Sequence, residues 1–235
     1  MQILEFLSNI ELYFTNTENV TSNNIIVEGE ECRHISKVMR HSSGEKLFIT
    51  NGLGKIFQTK IISVGSDLIN TVIEKIFEYE NPLSNVFFCI PKIKSPDRFE
   101  FILEKCSELG VTNFVIYNAE RAIALSERIE RWNKVLLAAM KQSLRSYLPK
   151  IYIENSLKEI SSNYGIKYVF EQESENKFSG LINLDNSQNI YFIFGPEGGL
   201  SKNEFSLFSK EEIYKIADNR LRTETAVIKC ASLLL

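Results

Sequence analysis

YFIFGPEGGLS, residues 191–201, joins a short apolar run to a glycine-rich loop that ends in serine. The apolar run Tyr191–Phe194 predicts a buried strand, and Ser201 is of the residue type that caps the start of a helix. The glycines of the loop let the backbone turn tightly and approach a ligand closely. In a parallel sheet such a loop lies at the carboxyl end of its strand, where ligands bind. The spacing alone is equally compatible with a plain strand-to-helix turn.

Strands and helices alternate on both sides of this stretch. Ser95-Pro96 predicts a helix start, Gly110 predicts its end, and apolar residues recur at helical spacing over residues 129–139. The alternation is typical of a parallel sheet with helices on both faces, so we predict an α/β domain over residues 81–235. Further strands are predicted at residues 85–90, 114–117, 168–170 and 213–216.

Residues 1–80 have a different pattern, in which segments rich in β-branched and aromatic residues are separated by turns. One helix is predicted among them, from Glu30 to Met39. Many short strands around one helix suggest a small β-barrel as a separate N-terminal domain. The predicted strands are residues 12–14, 24–27, 46–49, 56–62 and 68–76.

The composition is that of an ordinary globular protein, with 44% hydrophobic and 24% charged residues in a chain of 235. The net charge of −3 does not indicate a nucleic-acid partner, so any such surface must be a local patch. Residues 1–6 lack the features of a signal peptide, and no apolar run is long enough to predict a membrane span. We therefore expect a cytoplasmic protein. The scattered cysteines favour core positions over disulfides, and they are Cys32, Cys89, Cys106 and Cys230.

A second motif, NRLRTETA at residues 219–226, precedes an apolar C-terminal segment that predicts a helix. Thr223 or Thr225 could cap this helix, and Glu224 suits the positive end of its dipole. Arg220 and Arg222 do not suit that end, because cations are disfavoured at a helix N-terminus. An anionic partner, either a phosphate or an anion that forms during a reaction, would resolve the conflict.

Two basic patches occur in this acidic chain. Arg33, Lys37 and Arg40 are spaced to share one helix face. Residues 128–150 contain six cations and one acid. Each patch alone is typical of a solvated helix face, but the two together favour a surface that binds phosphates.

Two common kinds of site are not predicted. Cys32, His34 and His41 lack a fourth ligand nearby in the sequence, so we predict no metal site. The chain contains neither GxGxxG nor GxxxxGK followed by serine or threonine, which disfavours a dehydrogenase of the doubly wound type. A nucleoside cofactor would therefore have to bind through the glycines late in the chain.

FGPEGGL (residues 194–200) together with LRTETA (residues 221–226) resembles the 16S ribosomal RNA (uracil-N3) methyltransferases, a branch of the SPOUT superfamily. The resemblance runs from about Leu12 to the end of the chain. Several ordered motifs together are more specific than any one of them. The other matching stretches are DRFEFILEKCSELGV (97–111), Glu120-Arg121, AAMKQSLRSYLPKI (138–151) and residues 31–44.

The resemblance implies an RNA-binding, PUA-like β-barrel (1–80) and a C-terminal SPOUT domain (81–235) with a trefoil knot. S-adenosyl-L-methionine would bind in the loops of the knot, and two subunits would pair across it as a homodimer. The implied cofactor-binding residues are Gly195, Glu197, Gly198, Gly199 and Leu200 in one loop, and Ile216, Ala217, Leu221, Arg222, Thr223 and Thr225 in the other. The residues predicted to bind RNA are Arg33, His34, Lys37, Arg40 and Arg145.

Two features depart from the family pattern. Ile216-Ala217 stands where relatives commonly have Leu-Gly, which puts the φ angle of this loop in question, because a left-handed turn favours glycine. Residues 1–8 have no counterpart in the family and are expected to be an extension, and the tail stops early at Leu235.

The implied reaction is methylation of uridine N3 in 16S ribosomal RNA, free or in the 30S subunit. We predict that Arg220 or Arg222 stabilises the uridine anion as it forms. Glu197 and Glu224 are both candidates for the base. The alternatives are another SPOUT reaction, such as ribose 2′-O-methylation, and an RNA-binding factor without catalytic activity.

Overall fold

The computed structural model describes residues 9–122, 127–180, 182 and 187–234. Residue contacts divide the chain into two compact units. The first runs to Asn81 and also includes Met140–Leu148, and the second consists of Pro82–Ala139 and the chain from Pro149 onward. The predicted boundary near residue 80 does not anticipate the segment 140–148 and stays a prediction. The expected extension, residues 1–8, and Leu235 lie outside the described residues.

The first unit contains a curled five-stranded sheet in the order β1-β3-β4-β5-β2. Only the β1–β3 pair is parallel among these strands. The β4–β5 pair shifts register twice, and such bulges bend a sheet. A short 3₁₀ turn, Thr17–Asn19, follows β1. The strands are β1 (Leu12–Phe14), β2 (Asn24–Glu28), β3 (Lys46–Thr50), β4 (Lys55–Val64) and β5 (Leu68–Glu78).

The helix predicted from Glu30 to Met39 is not continuous. Helix α1 covers Gly29–Arg33, and a π-helical turn, His34–Val38, follows it. Arg40 lies beyond both, with φ +58° in the left-handed region. The expectation that Arg33, Lys37 and Arg40 share one regular helix face is therefore wrong, because the wider π turn changes the spacing and Arg40 is outside the helix.

Residues 140–148 pack against the β3–β4 turn of the first unit. The Gly54 amide donates to the Ser146 carbonyl at 2.9 Å, and the Leu148 amide donates to the Gly52 carbonyl at 3.0 Å. Gly52 has φ +73°, and a Cβ there would lie 2.7 Å from Cβ of Leu148. The glycines of NGLG thus serve a close backbone approach as well as a turn. Lys141 forms an ion pair with Glu31 of α1.

The second unit contains a six-stranded, fully parallel sheet in the order β11-β9-β10-β6-β7-β8. Its strands are β6 (Val86–Pro91), β7 (Asn113–Tyr117), β8 (Lys150–Glu154), β9 (Ile166–Phe170), β10 (Ile190–Phe194) and β11 (Ile213–Tyr214). Its helices are α2 (Pro96–Glu108), α3 (Ile129–Gln142, whose last residues belong to the first unit), α4 (Leu157–Ser162), α5 (Lys202–Phe205), the 3₁₀ turn Lys210–Glu212 and α6 (Thr223–Ser232).

Most of the predicted α/β elements are present, with two differences at strands. Strand β8 was not predicted, because it lies at the sheet edge and none of its residues is buried, so its apolar pattern is weak. Strand β11 ends at Tyr214 and not at residue 216. Ile216 and Ala217 leave the sheet, and the Ala217 carbonyl instead accepts a hydrogen bond from Gln172 Nε2 at 3.3 Å.

The core of the second unit lies on both faces of its central strands. All residues of β10 are buried, as are nearly all of β6. The rings of Phe99 in α2 and Trp132 in α3 meet at 4.7 Å between centroids. All four cysteines of the chain are buried and free, as expected for core residues, and burial raises the pKa of each thiol. Within the described residues, no helix is long and apolar enough to cross a membrane.

Candidate active site

A cavity of about 690 Å³ lies at the carboxyl ends of the paired strands β9 and β10. Three loops of the second unit form it, which is the position that a parallel sheet provides for a ligand. The lining residues are Phe170, Glu171, Gln172 and Glu173 after β9; Phe194, Gly195, Pro196, Glu197, Gly198, Gly199 and Leu200 after β10; and Ile216, Arg220, Leu221, Arg222, Thr223 and Ala226 before and within α6.

A complete capping box holds the end of the glycine loop. The Glu204 amide donates to Ser201 Oγ at 3.0 Å, and the Ser201 amide donates to Glu204 Oε2 at 2.7 Å. This confirms the helix start predicted at Ser201. Glu204 is only 4% exposed, and its second oxygen accepts the amide of Glu120 at 3.0 Å. The buried carboxylate therefore joins the segment after β7 to the end of the glycine loop.

Arg121 and Tyr117 also support the glycine loop. One guanidinium nitrogen of Arg121 donates to the carbonyls of Gly198 and Leu200, at 3.2 and 3.1 Å. The buried Tyr117 hydroxyl donates to the Phe194 carbonyl at 2.6 Å. Gly199 adopts φ +69°, which a side chain would strain. These contacts fix the carbonyls of the loop and leave its inner face to the cavity.

Thr223 joins the second loop to the first. Helix α6 begins at Thr223, so Arg222 occupies the capping position, and it makes no capping hydrogen bond through its side chain. The Thr223 hydroxyl donates to the Gly195 carbonyl at 3.0 Å. The interpretation of Thr223 or Thr225 as the helix cap is therefore wrong, because Thr223 uses its hydroxyl between the loops and Thr225 is exposed beyond the first helical position.

Ala217 fits its loop without strain. Among the described residues other than glycine, only Arg40 and Leu144 have positive φ angles, so Ala217 does not need the left-handed region. Ala217 is 4% exposed. The expected conflict between alanine and the φ angle of this loop is therefore absent.

Two arginines and two glutamates form a charged cluster beside the cavity. Arg98, in the first turn of α2, places Nε 3.6 Å from Glu224 Oε1 and Nη1 3.9 Å from Glu197 Oε1. Arg222 Nη1 lies 4.0 Å from the same Glu224 oxygen, and the Arg222 side chain is 69% exposed. Glu224 is 9% exposed, and within the described part of the chain its Oε2 has no hydrogen-bond partner.

Most of the predicted cofactor and catalytic residues line one cavity. The exceptions are Ala217, Glu224 and Thr225, which are close in sequence to lining residues but are not part of the wall. The segment Phe170–Glu173 was not predicted to belong to the site. This segment follows β9, which lies beside β10 in the sheet. It could have been predicted as part of the site only if the strand order had been known.

The residues predicted to bind RNA belong to the first unit. Arg33, Lys37 and Arg40 are exposed, whereas His34 is half-buried and lies 3.8 Å from Glu11. Arg145 is half-buried, and its burial lowers the guanidinium pKa. Over the described ranges, no group of three or more His, Cys, Asp or Glu residues is placed to hold a metal ion.

Two family models match the chain: an RNA methyltransferase domain over residues 79–235 and an RNA methyltransferase PUA domain over residues 27–74. Ribosomal RNA small subunit methyltransferase E of Bacillus subtilis is 25% identical over 223 residues, covering 88% of this chain and 87% of the relative. The protein named ribosomal RNA small subunit methyltransferase E 1 in Borreliella burgdorferi is 31% identical over 186 residues, covering 74% and 71%.

Solved structures share the fold over nearly the whole chain. Ribosomal RNA small subunit methyltransferase E of Neisseria gonorrhoeae, bound to S-adenosyl methionine, superposes with a TM-score of 0.82 at 25% identity, covering 95% of both chains. A probable rRNA-methyltransferase of Porphyromonas gingivalis gives 0.83 at 22% identity, covering 95% of this chain and 96% of that one. These matches confirm the predicted fold class, an α/β SPOUT-type domain with a PUA-like N-terminal domain.

Proposed function

The chain belongs to the ribosomal RNA small subunit methyltransferase E family, and we propose that it transfers the methyl group of S-adenosyl-L-methionine to N3 of a uridine in 16S ribosomal RNA. The observation that carries the proposal is the cavity in which the two cofactor loops meet through the Thr223–Gly195 hydrogen bond. A similarly folded relative, from Neisseria gonorrhoeae, holds S-adenosyl methionine.

The cavity suits this cofactor in size and lining. Its volume of about 690 Å³ is within the range of sites for small molecules. Phe170, Phe194 and Leu221 offer apolar surface to an adenine ring, and Glu171 and Glu173 place negative charge beside a ligand with a sulfonium and an ammonium group. A Cβ on Gly195 would lie 3.3 Å from the Leu200 amide nitrogen, so glycine allows the loop to fold closely on itself here. We propose that all these residues contact the cofactor.

The bound cofactor supplies an electrophilic methyl group on its sulfonium. The protein must align the uridine, accept its N3 proton and stabilise the resulting anion. Arg220 and Arg222 line the cavity, so we assign them the stabilisation of that anion. We assign Glu197 as the proton acceptor, because it lines the cavity and its side chain is 44% exposed. The buried Glu224, behind the wall, then acts on the reaction through Arg222.

The exposed basic residues of the first unit, Arg33, Lys37 and Arg40, are proposed to bind the RNA backbone. The cytoplasm, where ribosomal subunits are assembled, is the proposed compartment. We also propose a homodimer, on the family resemblance. The apolar composition of α6 does not argue for it, since its apolar residues pack into the core of the same chain.

The test is methylation of 16S ribosomal RNA and of 30S subunits, both prepared without this modification, followed by mass spectrometry of the nucleosides. We expect 3-methyluridine from at least one substrate. A 2′-O-methyl nucleoside instead would support a different SPOUT reaction. Failure of the folded protein to bind S-adenosylmethionine in calorimetry would support an RNA-binding factor without catalytic activity. Light scattering of the same preparation tests the dimer.

A further inference from the structure

We propose that Arg98 is a positioning residue for methyl transfer, an inference that rests on the proposed function. Its guanidinium bridges Glu197 of the glycine loop and Glu224 of α6. By neutralising Glu224, Arg98 keeps Arg222 available to the uridine anion.

The position of Arg98 is unfavourable for its own helix. Pro96 occupies the first turn of α2, and Arg98 follows within the same turn. A cation there opposes the helix dipole, as Arg222 does at the start of α6. The two carboxylates that face Arg98, at 3.6 and 3.9 Å, offset this cost. The ion pairs with Glu197 and Glu224 therefore explain an arginine at this position, whereas the stability of α2 does not.

The Glu224 carboxylate is buried, so its charge depends on a nearby cation. It is 9% exposed, and among the described residues its Oε2 has no hydrogen-bond partner. A buried carboxylate in this state depends on ion pairs for its charge. Its described ion pairs both use Oε1, with Arg98 at 3.6 Å and Arg222 at 4.0 Å. Without Arg98, the largely exposed Arg222 side chain would be attracted to Glu224 and lost to the cavity.

The bridge to Glu197 adds a second effect. Arg98 lies on α2, whereas Glu197 lies in the glycine loop that lines the cavity and Glu224 lies in the first turn of α6. One guanidinium thus connects the glycine loop to the start of α6 and limits the freedom of Glu197. Removal of Arg98 is expected to lower turnover more than it weakens cofactor binding.

The test uses Arg98→Ala, Arg98→Lys, Glu224→Gln and the double variant Arg98→Ala/Glu224→Gln in the full chain. Lys105→Ala is the matched control, because Lys105 is a cation on the same helix that pairs with Glu104 and Glu108. We expect Arg98→Ala to lower kcat about 10- to 100-fold, while KM for S-adenosylmethionine changes less than about threefold. Arg98→Lys should recover part of the loss, and Lys105→Ala should match the wild type.

The double variant separates positioning from simple damage. If Arg98 acts by neutralising Glu224, removing that charge should restore at least about tenfold of the turnover lost in Arg98→Ala. An Arg98→Ala protein within about twofold of the wild type, or a double variant whose losses simply multiply, would overturn the inference. An inactive wild type would refute the proposed function instead. Thermal unfolding then decides about Arg98: Glu224→Gln should reverse most of a loss of roughly 2–4 °C in Arg98→Ala, and additive losses would reject the pairing.

Discussion

The helices α5 and α6 both begin beside the cavity, but their first residues follow opposite rules. At the start of α5, the Ser201 and Glu204 side chains cap both backbone amides, and Glu204 also receives the amide of Glu120. At the start of α6, Arg222 caps nothing, and the Glu224 carboxylate has an oxygen without a hydrogen bond within the described residues. The first start has a complete capping box, whereas the second leaves a buried carboxylate oxygen without a hydrogen bond among the described residues.

The difference suggests that the start of α5 stabilises the fold, whereas the start of α6 serves the reaction. A satisfied helix start stabilises the fold and has no spare interaction for a ligand. An unsatisfied start costs stability, and proteins commonly tolerate such costs where a substrate supplies the missing partner. We therefore expect changes near α5 to alter stability and changes near α6 to alter turnover.

The largest effect is expected for Arg222→Ala. Loss of the guanidinium should lower kcat about 100- to 1,000-fold, because the uridine anion loses a donor in the wall of the cavity. Affinity for S-adenosylmethionine, measured by calorimetry, should change little. Lys229→Ala, an exposed cation on the same helix, is the control. A proportional loss of cofactor affinity would make Arg222 a cofactor clamp and remove the contrast.

Glu204→Ala should be the most destabilising change near α5. It leaves the amides of Ser201 and Glu120 without their buried acceptor, so we expect a loss of about 2–3 kcal/mol in the free energy of unfolding. Chemical denaturation measures this. The control is Glu212→Ala, which breaks a similar but exposed box at Ser209 and should cost about 0.5–1 kcal/mol. Equal losses would show that burial of Glu204 is unimportant.

Arg121→Ala should have an intermediate effect on cofactor binding. The variant loses two hydrogen bonds to the carbonyls of Gly198 and Leu200, which frees the glycine loop. We expect an increase of about tenfold in the Kd for S-adenosylmethionine. Arg121→Lys keeps the charge and should recover only part of the affinity. Unchanged binding in both variants would mean that the loop keeps its shape without Arg121.

The smallest effect is expected for Ala217→Gly, which introduces the glycine that the family resemblance led us to expect at this position. Because Ala217 does not have a positive φ angle, glycine should bring no gain in cofactor affinity. It should instead lower the free energy of unfolding by about 0.4–1 kcal/mol, through the added freedom of the unfolded chain. A tighter complex with S-adenosylmethionine would indicate that the loop changes its conformation on binding.

Elements with strong local signals could be predicted from the sequence. The strand, loop and capped helix around Gly195 are present as expected, because strand periodicity, glycine and the serine cap all depend on neighbours in the chain. Local rules also predicted α2 from Ser95-Pro96, although the Ser95 side chain makes no capping bond. The π-helical turn at His34 was missed, since its residues are compatible with an ordinary helix.

Contacts between distant parts of the chain could not be predicted in this way. Arg121 and Gly198 are 77 positions apart and meet only because β7 and β10 are in the same sheet. Arg98 belongs to one of the stretches that match the family. Its approach to Glu224, however, depends on the packing of α2 beside α6. Periodicity carries no information about threading, so the knot was predicted from the resemblance alone and stays a prediction.

The segment Met140–Leu148 affects the order in which the chain matures on the ribosome. A nascent chain that has emerged only to Asn81 contains all five strands of the first unit but lacks Ser146 and Leu148, whose backbone groups bond to Gly54 and Gly52. Synthesis must continue past Leu148 before these hydrogen bonds can form. The first unit is therefore completed during translation of the second, and a fragment that ends at Asn81 should be a poor substitute for it.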